Sequence, residues 1–122
     1  HPLVIFLDDL QWADLASLKL MQVLMEDRNK GYLLLIGTYR AEEVSPADPL
    51  MLTLEKIRQN GTAITTIELT PLEPHHINQL IAETLNYTSE QAAPLTELIY
   101  HKSKGNPFFS RQFLKLLHEE KL

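Results

Sequence analysis

Cysteine is absent from the 122 residues, so neither a disulfide framework nor a thiolate metal site can be built. Histidine offers no substitute. His75 and His76 are neighbours on an expected helix start and cannot face one ion together, and His101 and His118 stand alone. Histidine ligands come at i,i+3 or i,i+4 spacing or in larger sets, so all five histidines read as surface or capping residues. Glycine is scarce, at 31, 37, 61 and 105 only, and none of the four opens a G-x-x-x-x-G-K-[ST] loop. The backbone cradle that holds nucleotide phosphates is therefore missing within the chain. No G-x-S-x-G elbow supports a Ser-His-Asp nucleophile. No apolar run approaches membrane-spanning length and no signal peptide is visible. That sets the expectation of a cytoplasmic chain with no membrane partner. The net charge is -5, with acids and bases interspersed. This argues against a broad nucleic-acid surface and leaves open only a local basic patch.

What is present is a core-forming composition, 44% hydrophobic, and one stretch around which the rest can be arranged. Leu3-Val4-Ile5-Phe6-Leu7 is an unbroken apolar run that ends in Asp8-Asp9. It is short and lacks alternation, so it reads as a strand buried on both faces of a parallel sheet. Ligands of such sheets bind beyond the carboxyl ends of the strands. A loop start and helix cap would explain one acid there. Two adjacent acids point further, because paired carboxylates repel and desolvate poorly unless a cation or a proton relay uses them.

Residues 13–28 follow as a helix on Leu18, Met21 and Met25 with Leu20 and Leu24, closed by a basic turn and Gly31. Trp12 reads as a packing anchor at the strand-to-helix turn or as a nucleotide-stacking residue. Residues 32–40 form a second buried strand, giving a right-handed βαβ unit. Thr38 and Arg40 then emerge beside Asp8 and Asp9. The Arg40 guanidinium suits phosphate oxygens, or else pairs with Asp8, Asp9 or Glu42. Asp48 and Pro49 start another helix, on Leu50, Leu54 and Ile57. The β-branched residues 63–69 read as a third strand.

After Thr70-Pro71-Leu72-Glu73-Pro74 everything reads as helix. Ile77, Leu80, Ile81 and Leu85 form one stripe. Thr88 with Gln91 matches a capping box, but Pro94 falls within reach of it, so the expectation is a short turn and then a helix from Pro94 to about Lys104. Gly105 ends that helix. Asn106 caps the last one, with Pro107 at its first position and Phe109, Phe113 and Leu116 on one face. The Gly105-Asn106-Pro107 bend reads as a helix corner without a ligand, or as a place where a nucleotide touches backbone.

The strand ending in Asp8-Asp9 resembles the Walker B strand of P-loop NTPases, four apolar residues followed by two acids. The longer string Asp8-Asp9-Leu10-Gln11-Trp12-Ala13-Asp14 is similar to that of AAA-related signal-transducing modules (the STAND group and Orc1-like AAA modules), such as those within large bacterial multidomain kinases. The resemblance covers essentially the whole chain. It implies an α/β fold: an incomplete P-loop NTPase three-layer parallel sheet (Walker B, sensor 1 and a following strand, at about 3–7, 32–38 and 63–69) in residues 1–70, and a small helical lid in 71–122. It implies ATP and Mg²⁺ as cofactors. Asp8 would hold the metal, and Asp9 would orient the attacking water where many relatives carry glutamate. Arg40 would approach the γ-phosphate, and Gly105, Asn106 and Pro107 would contact adenine or ribose.

The function implied is a fragment of a nucleotide-dependent signalling switch with slow hydrolysis. Its partners would be neighbouring domains of the same polypeptide (serine/threonine kinase, GAF or histidine kinase). The bare start, two residues before a core strand, reads as a cut from a longer protein, and an open slot in the sheet suggests self-association. The competing reading is a protein-interaction or scaffold module that keeps the fold without turnover.

Overall fold

The computed structural model describes residues 1–27, 29 and 31–120. Arg28 and Lys30, expected in the basic turn that ends the first helix, lie outside the described residues. The chain divides into two compact units, His1–Thr66 and Ile67–Leu122.

In the first unit β1 (Leu3–Leu7) and β2 (Leu33–Gly37) pair in parallel, in register from Leu3 with Leu33 to Leu7 with Gly37. The crossover contains α1 (Leu15–Glu26), which starts where the Asp14 carboxylate accepts the Ser17 N–H at 2.6 Å. Asp48 caps α2 (Pro49–Gln59) in the same way, accepting from the Leu50 N–H at 2.9 Å, with Pro49 at the first position. These caps satisfy helix-end donors that would otherwise be orphaned. The core consists of Leu10, Leu18, Met21, Leu50 and Ile57, with Leu7, Leu35, Leu54 and Ile64 packed against it.

Side chains alternate across a strand, so only one face of β1 and β2 reaches this core. On the other face Val4, Phe6, Leu34 and Ile36 are 59%, 60%, 55% and 42% exposed. The register sets them side by side as the pairs Val4–Leu34 and Phe6–Ile36. Leu20, expected in the buried stripe of α1, is also exposed, as is Leu24 to a lesser degree.

The expected three-layer parallel sheet is not what the chain builds. Among the described residues the sheet has two strands, and the chain is mostly helical. Residues 63–69 form no strand. β-branched residues favour a pleated surface but do not supply one, because a strand exists only where a neighbour's N–H and C=O groups complete the ladder. Ile64 is anchored to the helical core, whereas Ile67 and Leu69 are 79% and 91% exposed.

The second unit holds α3 (Pro74–Leu85), α4 (Ser89–Ser103) and α5 (Pro107–Glu119). Its core is Ile77, Ile81, Ala92, Ile99 and Leu114. The Asn78 side chain ties α3 to α4: its Nδ2 donates to Thr96 Oγ1 at 3.0 Å and to the Ser89 carbonyl at 3.1 Å, and its Oδ1 accepts from Ser89 Oγ at 2.8 Å. Instead of a turn and a new start at Pro94, α4 runs unbroken through that proline. The Thr88–Gln91 capping box is formed in both directions and fixes the first turn. Pro94 sits on the exposed side soon after it, so the helix gives up one backbone bond near its start and continues. The buried residues of α5 are Ser110 and Leu114, with Phe113 partly covered. Phe109 and Leu116, expected on that face, are 58% and 49% exposed.

Candidate functional site

The carboxyl ends of β1 and β2 bring together Asp8, Asp9, Gln11, Thr38 and Arg40. Their placement begins with backbone. The Thr38 N–H donates to the Leu7 carbonyl at 2.9 Å, and the Leu10 N–H donates to the Thr38 carbonyl at 2.8 Å. Between these two rungs the chain turns sharply at Asp9, whose φ of 56° and ψ of 47° lie in the left-handed region. Aspartate tolerates that conformation better than most residues. A single 3-10 turn, Leu10–Trp12, follows. It drops Leu10 into the core against Gly37, where an added Cβ would come within 2.5 Å of Leu10 Cδ1.

Thr38 holds both acids. Its Oγ1 donates to Asp8 Oδ1 and accepts the Asp9 backbone N–H at 3.2 Å. Gln11 holds the second acid from the other side. Its Nε2 donates to Asp9 Oδ1 at 3.1 Å, while its Oε1 accepts the Arg40 N–H at 3.2 Å. The side-chain donors that reach the two carboxylates are thus a hydroxyl and a carboxamide, both neutral. Asp8 and Asp9 are exposed, and no ion pair involves either among the described residues.

Arg40 does not pair with Asp8, Asp9 or Glu42. Its Nη1 lies 3.1 Å from Glu43 Oε1. The short turn Ala41–Glu43 places Glu43 beneath the arginine at i+3 spacing, a separation at which side chains on one helical face meet. Trp12 is 76% exposed, so it is not a packing anchor. Asp14 closes the stretch as the α1 cap, and the Ser17 N–H holds its carboxyl below the usual aspartate range.

Gly105, Asn106 and Pro107 lie in the second unit. Lys104 and Gly105 both have positive φ, 53° and 82°. The Gly105 carbonyl accepts the Leu72 N–H at 2.7 Å. A Cβ on Gly105 would collide with the Leu72 carbonyl oxygen and stand 3.0 Å from Pro71 Cβ. Asn106 Oδ1 accepts the Phe108 and Phe109 N–H groups at 2.9 and 3.2 Å, and Pro107 opens α5. Close backbone approach does occur at Gly105, and the approaching backbone is the chain's own. A groove of about 790 Å³ between α3 and α4 is lined by Asn78, Ala82, Thr96 and Tyr100 among others, and by none of the site residues expected from sequence.

Thr38 was visible in the sequence as a strand-end residue. Gln11 and Glu43 were not. Nothing local marks a glutamine as the bridge between two strand ends 29 positions apart, and Glu43 competed with three other acids for Arg40.

No known family's profile matches the chain, and no solved structure matches it. Among curated proteins, a 69-residue stretch is 32% identical to the peroxide stress-activated histidine kinase mak3 of Schizosaccharomyces pombe. The match takes in 57% of this chain and 3% of that protein, so the chain spans a very small share of the relative's length.

Proposed function

We propose that the chain is part of a nucleotide-dependent signalling switch, contributing the acidic side of an ATP·Mg²⁺ site. The observation that carries this reading is the pair Asp8–Asp9 at the carboxyl end of β1. Each acid has one oxygen held by a neutral donor, and neither has a cation partner among the described residues.

The donor set fits Mg²⁺ and does not fit a metal held by protein alone. No group of three or more histidine, cysteine, aspartate or glutamate residues that could hold a metal occurs among the described residues. Mg²⁺ needs fewer, because it keeps several waters and takes one or two carboxylates plus phosphate oxygens. Asp8 would hold it, directly or through water, and when bound it supplies charge neutralisation at the phosphates. In this reading Asp8 is the metal-holding acid and Asp9 orients a water. Arg40 leaves Glu43 for a phosphate oxygen, which is a small loss because an exposed i,i+3 ion pair contributes little. Gly105 and Asn106 are given no nucleotide contact, since their own chain already accounts for them. The similarity to a stretch of a histidine kinase supports a signalling setting.

The test has two parts. Calorimetry on this chain alone should detect weak or no ATP·Mg²⁺ binding, because the phosphate cradle is absent from it. Joined to a phosphate-binding loop in a longer polypeptide, Asp8→Asn should weaken Mg²⁺-dependent binding. Asp9→Asn should slow hydrolysis and leave binding largely intact. Turnover unchanged by either substitution defeats the reading.

The bare apolar face of Val4, Phe6, Leu34 and Ile36 favours a second reading, an interaction module without turnover. That module would bind its partner equally well with and without Asp8 and Asp9.

A further inference from the structure

We propose that Gln11 is a positioning residue that couples the Asp9 carboxylate to the Arg40 loop. The proposal rests on the reading of Asp8–Asp9 as a cation site and names a relay within it. The Gln11 carboxamide is the only side chain among the described residues recorded as bonding both to an acid at the end of β1 and to the backbone after β2. Its orientation follows from chemistry. A carboxylate can only accept and a backbone N–H can only donate, so Nε2 must face Asp9 and Oε1 must face Arg40. One rigid amide plane therefore links the two.

The consequence is directional. A water of the cation at Asp8, donating to Asp9 Oδ1, competes with Gln11 Nε2 for the same lone pairs. Any turn of the amide plane moves Oε1, the acceptor of the Arg40 N–H. Arg40 is otherwise held by Glu43, whose carboxylate pairs with its guanidinium and whose N–H donates to its carbonyl at 3.0 Å, so Gln11 is the partner of its own N–H. Occupancy at the acids is thereby transmitted to the loop that carries the guanidinium, with no rearrangement of β1 or β2. Thr38 does not serve this purpose, because its hydroxyl bonds Asp8 and the Asp9 backbone and leaves the Asp9 carboxylate to Gln11.

The experiment uses the 122-residue chain and Mg²⁺ alone, followed by ¹⁵N-resolved NMR. In the parent chain the Arg40 amide resonance should shift with the same midpoint as the resonances of Asp8 and Asp9. Gln11→Met keeps the length of the side chain and removes both bonds. It should leave the Asp8 response in place, abolish most of the Arg40 response, and speed hydrogen exchange at the Arg40 amide by roughly three- to tenfold, the factor a hydrogen bond of ordinary net strength confers. Gln11→Glu keeps the acceptor and loses the donor, so it should retain the slow exchange that Gln11→Met loses. A purely structural role would give the two variants the same exchange rate. An Arg40 response intact in Gln11→Met overturns the relay and leaves the cation reading standing. No Mg²⁺ response at Asp8 or Asp9 in the parent chain overturns both.

Discussion

Replacing Gly105 by alanine separates a bend kept for packing from one kept for a ligand. Three contributions set the expected cost. At φ of 82° an alanine sits in the left-handed region, which costs about 1–2 kcal/mol. Its Cβ would collide with the Leu72 carbonyl and crowd Pro71. These neighbours are backbone and ring, not the end of a flexible chain, so the segment must move away. That movement strains the Leu72 N–H to Gly105 carbonyl bond at 2.7 Å, worth about 0.5–1.5 kcal/mol net. Against these stands a gain of about 0.4–1 kcal/mol from the stiffer unfolded chain.

The net loss expected from Gly105→Ala is about 2–3 kcal/mol, a large part of a small domain's stability. Two controls calibrate it. Gly61 has φ of 90° and nothing within 4 Å of the added Cβ, so Gly61→Ala should cost only about 1 kcal/mol. Lys104, next door with φ of 53°, should be neutral or gain up to about 1 kcal/mol as glycine. Urea denaturation followed by far-ultraviolet circular dichroism reads all three, with no nucleotide present. If Gly105→Ala costs no more than Gly61→Ala, the approach of residues 71–72 does not constrain the native state and the glycine needs another explanation.

Asn106→Ala should cost about 1 kcal/mol in the same assay, because one oxygen caps two N–H groups of α5; no loss would mean the cap is not formed. Phe6→Ser, on the bare face of the sheet, should change stability by less than about 1 kcal/mol and reduce self-association measured by sedimentation. Leu50→Ala, with a fully buried parent side chain, should cost about 2–5 kcal/mol. Equal costs for the two would show that the sheet face is covered. Asp14 has a lowered carboxyl pKa from the Ser17 N–H. Its contribution is therefore present above the unfolded-state value and lost as pH falls through the lower folded-state value. Asp14→Asn keeps a capping oxygen and removes the titration, so stability measured across this acid range should fall less steeply than in the parent, and an unchanged slope would exclude the cap as the source.

The parts of the fold legible in the sequence are those whose cause is local. Asp48-Pro49 reads as a helix start because capping oxygen and fixed φ lie within one turn of each other, and that is how α2 begins. The apolar runs at 3–7 and 33–37 are strands, and their parallel pairing follows from the helix between them. What was not legible depended on partners. Residues 63–69 have strand-forming composition, but composition cannot supply the neighbouring edge, and the three-layer sheet fails there. The unbroken apolar run of β1 suggested burial on both faces, yet burial of Val4 and Phe6 requires a second layer that the described residues do not provide. Pro94 does not interrupt α4, because a complete capping box upstream outlasts a single lost bond. At the site, Asp8, Asp9 and Thr38 could be placed by strand ends alone. The Gln11 bridge and the Arg40–Glu43 pair are set by how two turns face each other, which no spacing rule reports.

The exposure of the acid pair bears on when it would need a cation. Two carboxylates a few ångströms apart in water repel by only about 1 kcal/mol, because the solvent screens them. Asp8 and Asp9 are exposed to that solvent, and Thr38 and Gln11 hold them through neutral bonds. Covering the strand ends changes the balance. At an effective dielectric constant of about 20 the same repulsion becomes about fourfold larger, and phosphate groups would add more negative charge to the same place. Nothing among the neutral donors offsets that, and the Arg40 guanidinium is occupied by Glu43. Under the proposed reading, a divalent cation, or Arg40 released from Glu43, would offset that repulsion once the strand ends are covered. Under that reading, cation binding at this site should be weak while the strand ends are exposed and strengthen when they are covered. Such coupling lets an acid pair act as a switch, whereas a permanently desolvated pair would need its cation simply to fold.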